Sequence, residues 1–202
     1  MQEGASRSRR SNEERTRATR GALVDAARTL FVTHGYAGTS TPQVAAAAHV
    51  TRGALYHHFV DKQDLFRAVV EAEAAAVAAE IERAATPADD AADDARHRLV
   101  TGADAYLDAM AVPGRTRLLL LDAPAVLGAA EADEVDARHA RRTLRDGLAD
   151  ALGDDAPDDA RLDALTLLLS AAFDRATLAG GAAARWAVTE LVERVCAPRP
   201  TR

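Results

Sequence analysis

With 202 residues the chain is long enough for one sizeable core, or for a small domain joined to a larger one. Hydrophobic residues make up 48% of it but aromatic residues only 4%, so its core rests on Ala, Leu and Val, a composition that favours helices over sheet. Cys196 is the only cysteine, which excludes an intrachain disulfide, and the net charge of −6 conceals an asymmetry: residues 1–62 hold nine cations against five acids, a balance of +4 that leaves −10 for the remainder.

A basic head on an acidic body is the pattern of a nucleic-acid-binding module attached to a second domain, although a solvated basic tail gives the same sign. The N-terminus has no apolar stretch of the signal-peptide kind. The most apolar run, Leu118 to Ala130, is broken by Asp122 and Pro124, so neither a secretory signal nor a membrane span is predicted and the cytoplasm is the expected location.

In chain order, residues 1–11 are Arg/Ser-rich and are read as a flexible basic arm. Ser11 and Glu14 form a capping box, and Leu23, Ala27, Leu30 and Phe31 recur at helical spacing, which predicts a first helix over about 12–34 closed by Gly35. Thr39, Ser40 and Thr41 offer N-cap oxygens before Pro42 for a short helix over about 41–48. Thr51 caps a second short helix over about 52–58, and Asp61 a longer one that runs to about 85, where Thr86-Pro87 stops it.

Further punctuation at Pro113-Gly114, Pro124, Gly128, Gly153 to Pro157 and Gly180-Gly181 delimits helices of about 88–111, 115–122, 130–152, 157–179 and 182–196. The expected fold class is all-α, with about nine helices.

Residues 41–60, TPQVAAAAHVTRGALYHHFV, carry the motif of interest. Two short helices flank a tight turn, with Ala45 small enough for a close crossing and Val44, Val50 and Leu55 as the wedge between them, as a helix-turn-helix requires. The second helix presents Thr51, Arg52, Gly53, Tyr56 and His57, a set able to bond phosphates and base edges.

The stretch LFVTHGYAGTSTPQVAAAAHVTRGALYHHFVDKQDLF resembles the DNA-binding region of TetR-family transcriptional regulators, and the likeness covers about residues 15–70. It is carried by Leu30-Phe31, Gly35-Tyr36, Thr39-Ser40, Ala45, Val50-Thr51, Gly53, Leu55-Tyr56, His58-Phe59 and Lys62 with Leu65. The resemblance implies a three-helix DNA-binding domain (12–60) followed by a helical effector-binding and dimerisation domain (61–197).

It implies that Thr39 and Thr41 face phosphate, that Tyr56, His57 or His58, and Lys62 grip the DNA backbone, and that Arg52 and Gly53 approach the bases. By the same resemblance the chain is a ligand-relieved repressor that binds palindromic double-stranded operator DNA as a homodimer through about residues 157–196. Tyr106, Met110, Leu119, Val126 and Phe173 are core residues that become the lining of a pocket for a small-molecule effector, with Arg117 and Asp122 among its polar groups. One position departs from the family pattern: His49 stands where glycine is usual, in a turn that needs positive φ.

Competing readings have less to stand on. Asp-Ala-Arg-His occurs at 94–97 and again at 136–139, reminiscent of di-metal bundles, but those sites use Glu and further carboxylates facing the core. His57 and His58 point about 100° apart on a helix and cannot share an ion at ordinary spacing. No metal, cofactor or enzymatic activity is expected, because no nucleophile, phosphate-binding or zinc-protease motif is present.

Overall fold

The computed structural model describes residues 3–86 and 95–197, with side chains from residue 13 onward. The described residues are helical throughout, without strands, and the chain divides into two compact units, Met1–Ala72 and Glu73–Arg202.

The first unit is built from α1 (Glu3–Gly38), α2 (Thr41–Ala47), α3 (Arg52–His58) and the start of α4 (Lys62–Ala84). Its centre is apolar and aromatic: Leu23, Ala27, Phe31, Val44, Leu55, Phe59, Leu65, Phe66 and Val69 are buried. Phe31, Tyr36 and Phe66 form a triangle with ring centroids 5.1 to 5.8 Å apart. Gly35 interrupts α1 with φ 73° and ψ 170°, a conformation open to a residue without Cβ, and this is the stop expected there. Ala45 is 2% exposed, in keeping with a tight crossing of α2. Within the stretch 1–11, expected as a flexible basic arm, the backbone is helical from Glu3 onward. Ala, Arg and Glu there favour helix even without an apolar face.

The second unit continues α4 and adds α5 (Ala95–Met110), α6 (Arg115–Arg117), α7 (Ala123–Leu127), α8 (Ala129–Arg138), α9 (Ala140–Leu152), α10 (Asp159–Ala179) and α11 (Gly181–Val195). The beginning of the segment expected at 88–111 lies outside the described residues as far as residue 94. Val77, Leu99, Tyr106, Leu107, Met110, Leu148, Leu162, Leu169, Phe173 and Val192 make one core. Two expectations are corrected. A π-helical turn, Leu118–Asp122, joins α6 to α7, so the helix passes Pro124 and ends at Gly128. The wider turn accommodates a ring that would otherwise strike the carbonyl one turn back. The segment 130–152 is two helices, broken at His139 with φ −118° and ψ −103°, which lets Arg141 reach back to the Asp133 carboxylate at 2.6 Å.

Arg115 is buried at 6% exposure, and α4 supplies its counter-charges: Nε lies 3.0 Å from Glu73 and Nη1 3.1 Å from Glu80. Nη1 also donates to the Ala109 carbonyl at 2.7 Å. Three acceptors for one guanidinium are what a buried charge requires.

Candidate functional site

The exposed face of the first unit is assembled by α2 and α3. The Thr51 hydroxyl accepts from the Ala54 amide at 3.1 Å and fixes the start of α3, while Ser40 and Gln43 interlock at the start of α2 at 2.7 to 2.9 Å. Buried Leu55 turns the opposite face of α3 outward, and Arg52, Gly53, Tyr56 and His57 are all exposed on it. The hydroxyls of Tyr56 and Thr41 are 3.0 Å apart and connect the two helices. Hydrogen bonding to Thr41 and then to Arg52 lowers the pKa of the Tyr56 phenol. Thr41, Arg52 and Tyr56 are thus one polar cluster. His49 holds the turn between the helices at φ 56°, the only positive φ outside glycine among the described residues.

Other expected contacts fall elsewhere. Thr39 is 2% exposed, and its hydroxyl sits 2.9 Å from the Gly35 carbonyl and 3.1 Å from that of Leu30, so it closes the end of α1 rather than facing phosphate. Lys62 is half-buried; its Nζ donates to the carbonyls of Tyr36 and Thr39 at 2.9 and 3.1 Å. The carbonyls at the end of α1 attract a cation, and local sequence gave no hint that this lysine would take that place. His58 is half-buried beside Phe59, and burial, then His57 and Arg20, lower its pKa. Of the two histidines, His57 is the one left facing solvent.

The second unit contains a cavity of about 270 Å³ among α4, α5, α9 and α10. Ile81, Leu99, Ala103, Tyr106, Leu144 and Phe173 give it an apolar floor, and Glu82, Arg98, Arg142, Asp146 and Asp150 a charged rim. Tyr106 and Phe173 were expected to line a pocket and do so, with ring centroids 5.4 Å apart. Met110, Arg117, Leu119, Asp122 and Val126 are not on its walls. Met110 is core, Leu119 packs against that core, and Arg117 pairs with Asp122 at 3.3 Å. For Leu119, Asp122 and Val126 the π turn bears on this outcome, because it changes the phase of 118–127 and periodicity read at 3.6 residues per turn misplaces them.

Comparison with known proteins bears on both units. Residues 23–69 match the family model of bacterial regulatory proteins of the tetR family, and residues 96–195 that of the tetracyclin repressor-like C-terminal domain. A crystal structure of a TetR-family transcriptional regulator from Pectobacterium atrosepticum is 32% identical, covers 90% of this chain and 94% of its own, and superposes with a TM-score of 0.65. The chain belongs to the TetR family. TetR-family proteins are DNA-binding transcriptional regulators and not enzymes. The HTH-type transcriptional regulator AcrR of Shigella flexneri is 44% identical over 62 residues, 31% of this chain. That match spans only 29% of AcrR, so this likeness concerns the DNA-binding region alone. The crystal structure of RolR in complex with the ligand resorcinol covers 94% of this chain and 98% of its own at a TM-score of 0.64; at 18% identity it shows a shared fold.

One feature of this TetR-family body has no sequence signal. The Tyr106 hydroxyl donates to Asp174 at 2.8 Å, and the Ser170 hydroxyl to Asp136 at 3.2 Å. Burial, opposed by the hydrogen bond from Tyr106, pushes Asp174 up to about 6. Asp136 is also raised, chiefly by burial, although it belongs to the second Asp-Ala-Arg-His run, whose charged neighbours suggest a solvated face.

Proposed function

We propose that this TetR-family chain is a ligand-relieved repressor that binds a near-palindromic operator as a homodimer. The observation that carries the reading is the exposed cluster of Thr41, Arg52 and Tyr56 on a helix pair anchored from behind by buried Leu55. Arg52 and Gly53, at the front of α3, approach base edges; Thr41, Thr51, Tyr56 and His57 hold phosphates. Lys62 contributes by fixing the end of α1, with one N–H left for the DNA backbone.

The homodimer forms through α10 and α11. Their expected apolar stripes divide in two: Leu169, Phe173 and Val192 are buried in the chain's own core, whereas Leu168 at 70% exposure, Trp186 at 67% and Leu191 at 40% remain at the surface. A surface of this kind supports association with a second copy. The cavity floored by Tyr106 and Phe173 is the effector site, and α4, continuous from Lys62 to Ala84, links it to the DNA-binding unit. RolR, with resorcinol bound, is a fold relative that takes a small ligand. Among the described residues no helix is long and apolar enough to cross a membrane, and action on DNA places the protein in the cytoplasm.

Selection of bound duplexes from a random pool tests the reading. The expected product is an inverted repeat whose half-sites lie about 34 Å apart or a multiple of that. Recovery of no preferred sequence overturns it.

A further inference from the structure

The charged rim of the cavity in the second unit carries an excess of negative charge. Three carboxylates, Glu82, Asp146 and Asp150, stand on its rim against two guanidiniums, Arg98 and Arg142. Arg142 is already engaged, 2.7 Å from Glu82 and 3.6 Å from Asp146. Asp150 has no hydrogen bond or ion pair among the described residues. On the floor, the Tyr106 ring meets Phe173 edge-on, and its hydroxyl donates to the Asp174 carboxylate at 2.8 Å. Residues 63–202 carry the chain's excess negative charge, and such a field concentrates cations at a cleft.

We propose that the ligand of this cavity is a small lipophilic cation, an ammonium on a single aromatic ring or compact aliphatic body. Its charge lies at Asp146 and Asp150, and its apolar part rests against Tyr106 and Phe173. The inference depends on reading the cavity as the effector site. A volume of about 270 Å³ is just below the range of pockets for drug-sized ligands, about 300–1,000 Å³, which limits the body to one ring. The pairs that Arg142 makes with Glu82 and with Asp146 are no obstacle: all three side chains are half exposed or more, so both pairs are readily surrendered to a competing ammonium.

Equilibrium dialysis of the full chain against three probes tests the ligand class: benzyltrimethylammonium, its uncharged isostere neopentylbenzene, and the anion 3-phenylpropanoate. The cation should bind about tenfold more tightly than the isostere, and the anion weakest. The double variant Asp146→Asn, Asp150→Asn, changed only at exposed positions, should lose about tenfold in affinity for the cation and keep its affinity for neopentylbenzene. If either other probe binds as tightly as the cation, or if the double variant holds the cation as the parent does, the ligand class is wrong although the cavity still binds. If none of the three binds to a chain that still binds DNA, the effector-site reading falls together with the proposal.

Discussion

The Lys62 ammonium lies 4.1 Å from the centroid of the Tyr36 ring and donates to the carbonyl of that same residue at 2.9 Å. One side chain therefore joins the start of α4 to the end of α1 through charge, hydrogen bond and ring. Lys62→Ala is expected to cost about 1–2 kcal/mol of stability and to weaken binding to all duplex sequences alike. Thermal denaturation with parallel binding titrations on operator and random DNA checks this. An unchanged melting temperature would show that the lysine acts only on phosphate.

Gly53 separates stability from recognition. A Cβ built there meets only the Thr51 hydroxyl, at 3.8 Å, which is ordinary contact. Gly53→Ala should thus leave the fold intact or stabilise it by up to about 1 kcal/mol, since glycine is costly in a helix. Operator affinity should fall, because the added methyl stands where the backbone approaches the bases. A variant that binds operator as tightly as the parent removes Gly53 from the interface.

The turn residue His49 holds φ 56° without being glycine. Relief of that strain and the greater chain entropy of glycine oppose each other, so His49→Gly should change stability by about 1 kcal/mol or less, in the stabilising direction, with operator binding retained. Denaturant titration decides it; a clear loss of stability would mean that the imidazole has a packing role of its own.

Asp174 gives a pH dependence of known sign. Its carboxyl is raised from 3.8 to about 6 in the fold, so the native state holds the proton more tightly than the unfolded chain. The contribution to stability is most favourable at low pH and declines as pH rises from about 4 to about 6, by about 2–3 kcal/mol at full effect. Asp174→Asn still accepts from Tyr106 and removes the titration. It should exceed the parent in stability by about 1–3 kcal/mol at about pH 7.5, with the difference narrowing toward about pH 4. Chemical denaturation at the two pH values checks it, and a constant difference would contradict it.

Leu168→Glu combined with Leu191→Glu should convert a dimer into a monomer without unfolding it, because both side chains are exposed in the single chain. Sedimentation equilibrium reads the mass and circular dichroism the fold. A dimer that persists through both changes would move the interface away from α10 and α11.

Much of this architecture is legible in the sequence because local chemistry dictates it. Thr51, Asp61 and Gly35 bound helices as their side chains or lack of one require, and the small Ala45 marks a close crossing. The helix-turn-helix face follows from the same local rules. What was not legible depends on contacts distant in sequence. Thr39 could be read as a cap oxygen, yet its hydroxyl is taken up by carbonyls of α1. The π turn at Leu118–Asp122 changes the phase of the helix without a marker beyond Pro124, and three expected pocket residues, Leu119, Asp122 and Val126, lie in or after it. The burial of Asp136 and Asp174 is invisible in the sequence, which shows their charge but not the Ser170 and Tyr106 hydroxyls that meet them.

The burial of Arg115 bears on how this body can change over generations. Removing Arg115 strands the Glu73 carboxylate in the interior, removing Glu73 leaves the buried guanidinium with the one-third-exposed Glu80 as its carboxylate, and breaking a buried pair costs about 3–5 kcal/mol, a large share of the stability of an ordinary domain. Exchanging the whole set for well-packed apolar residues is, by contrast, often neutral or better. Sequence drift at Arg115 and Glu73 is therefore coupled, with the part-exposed Glu80 freer to change. Relatives should carry either both members of that pair or a hydrophobic replacement of both, and chains with one alone should be rare.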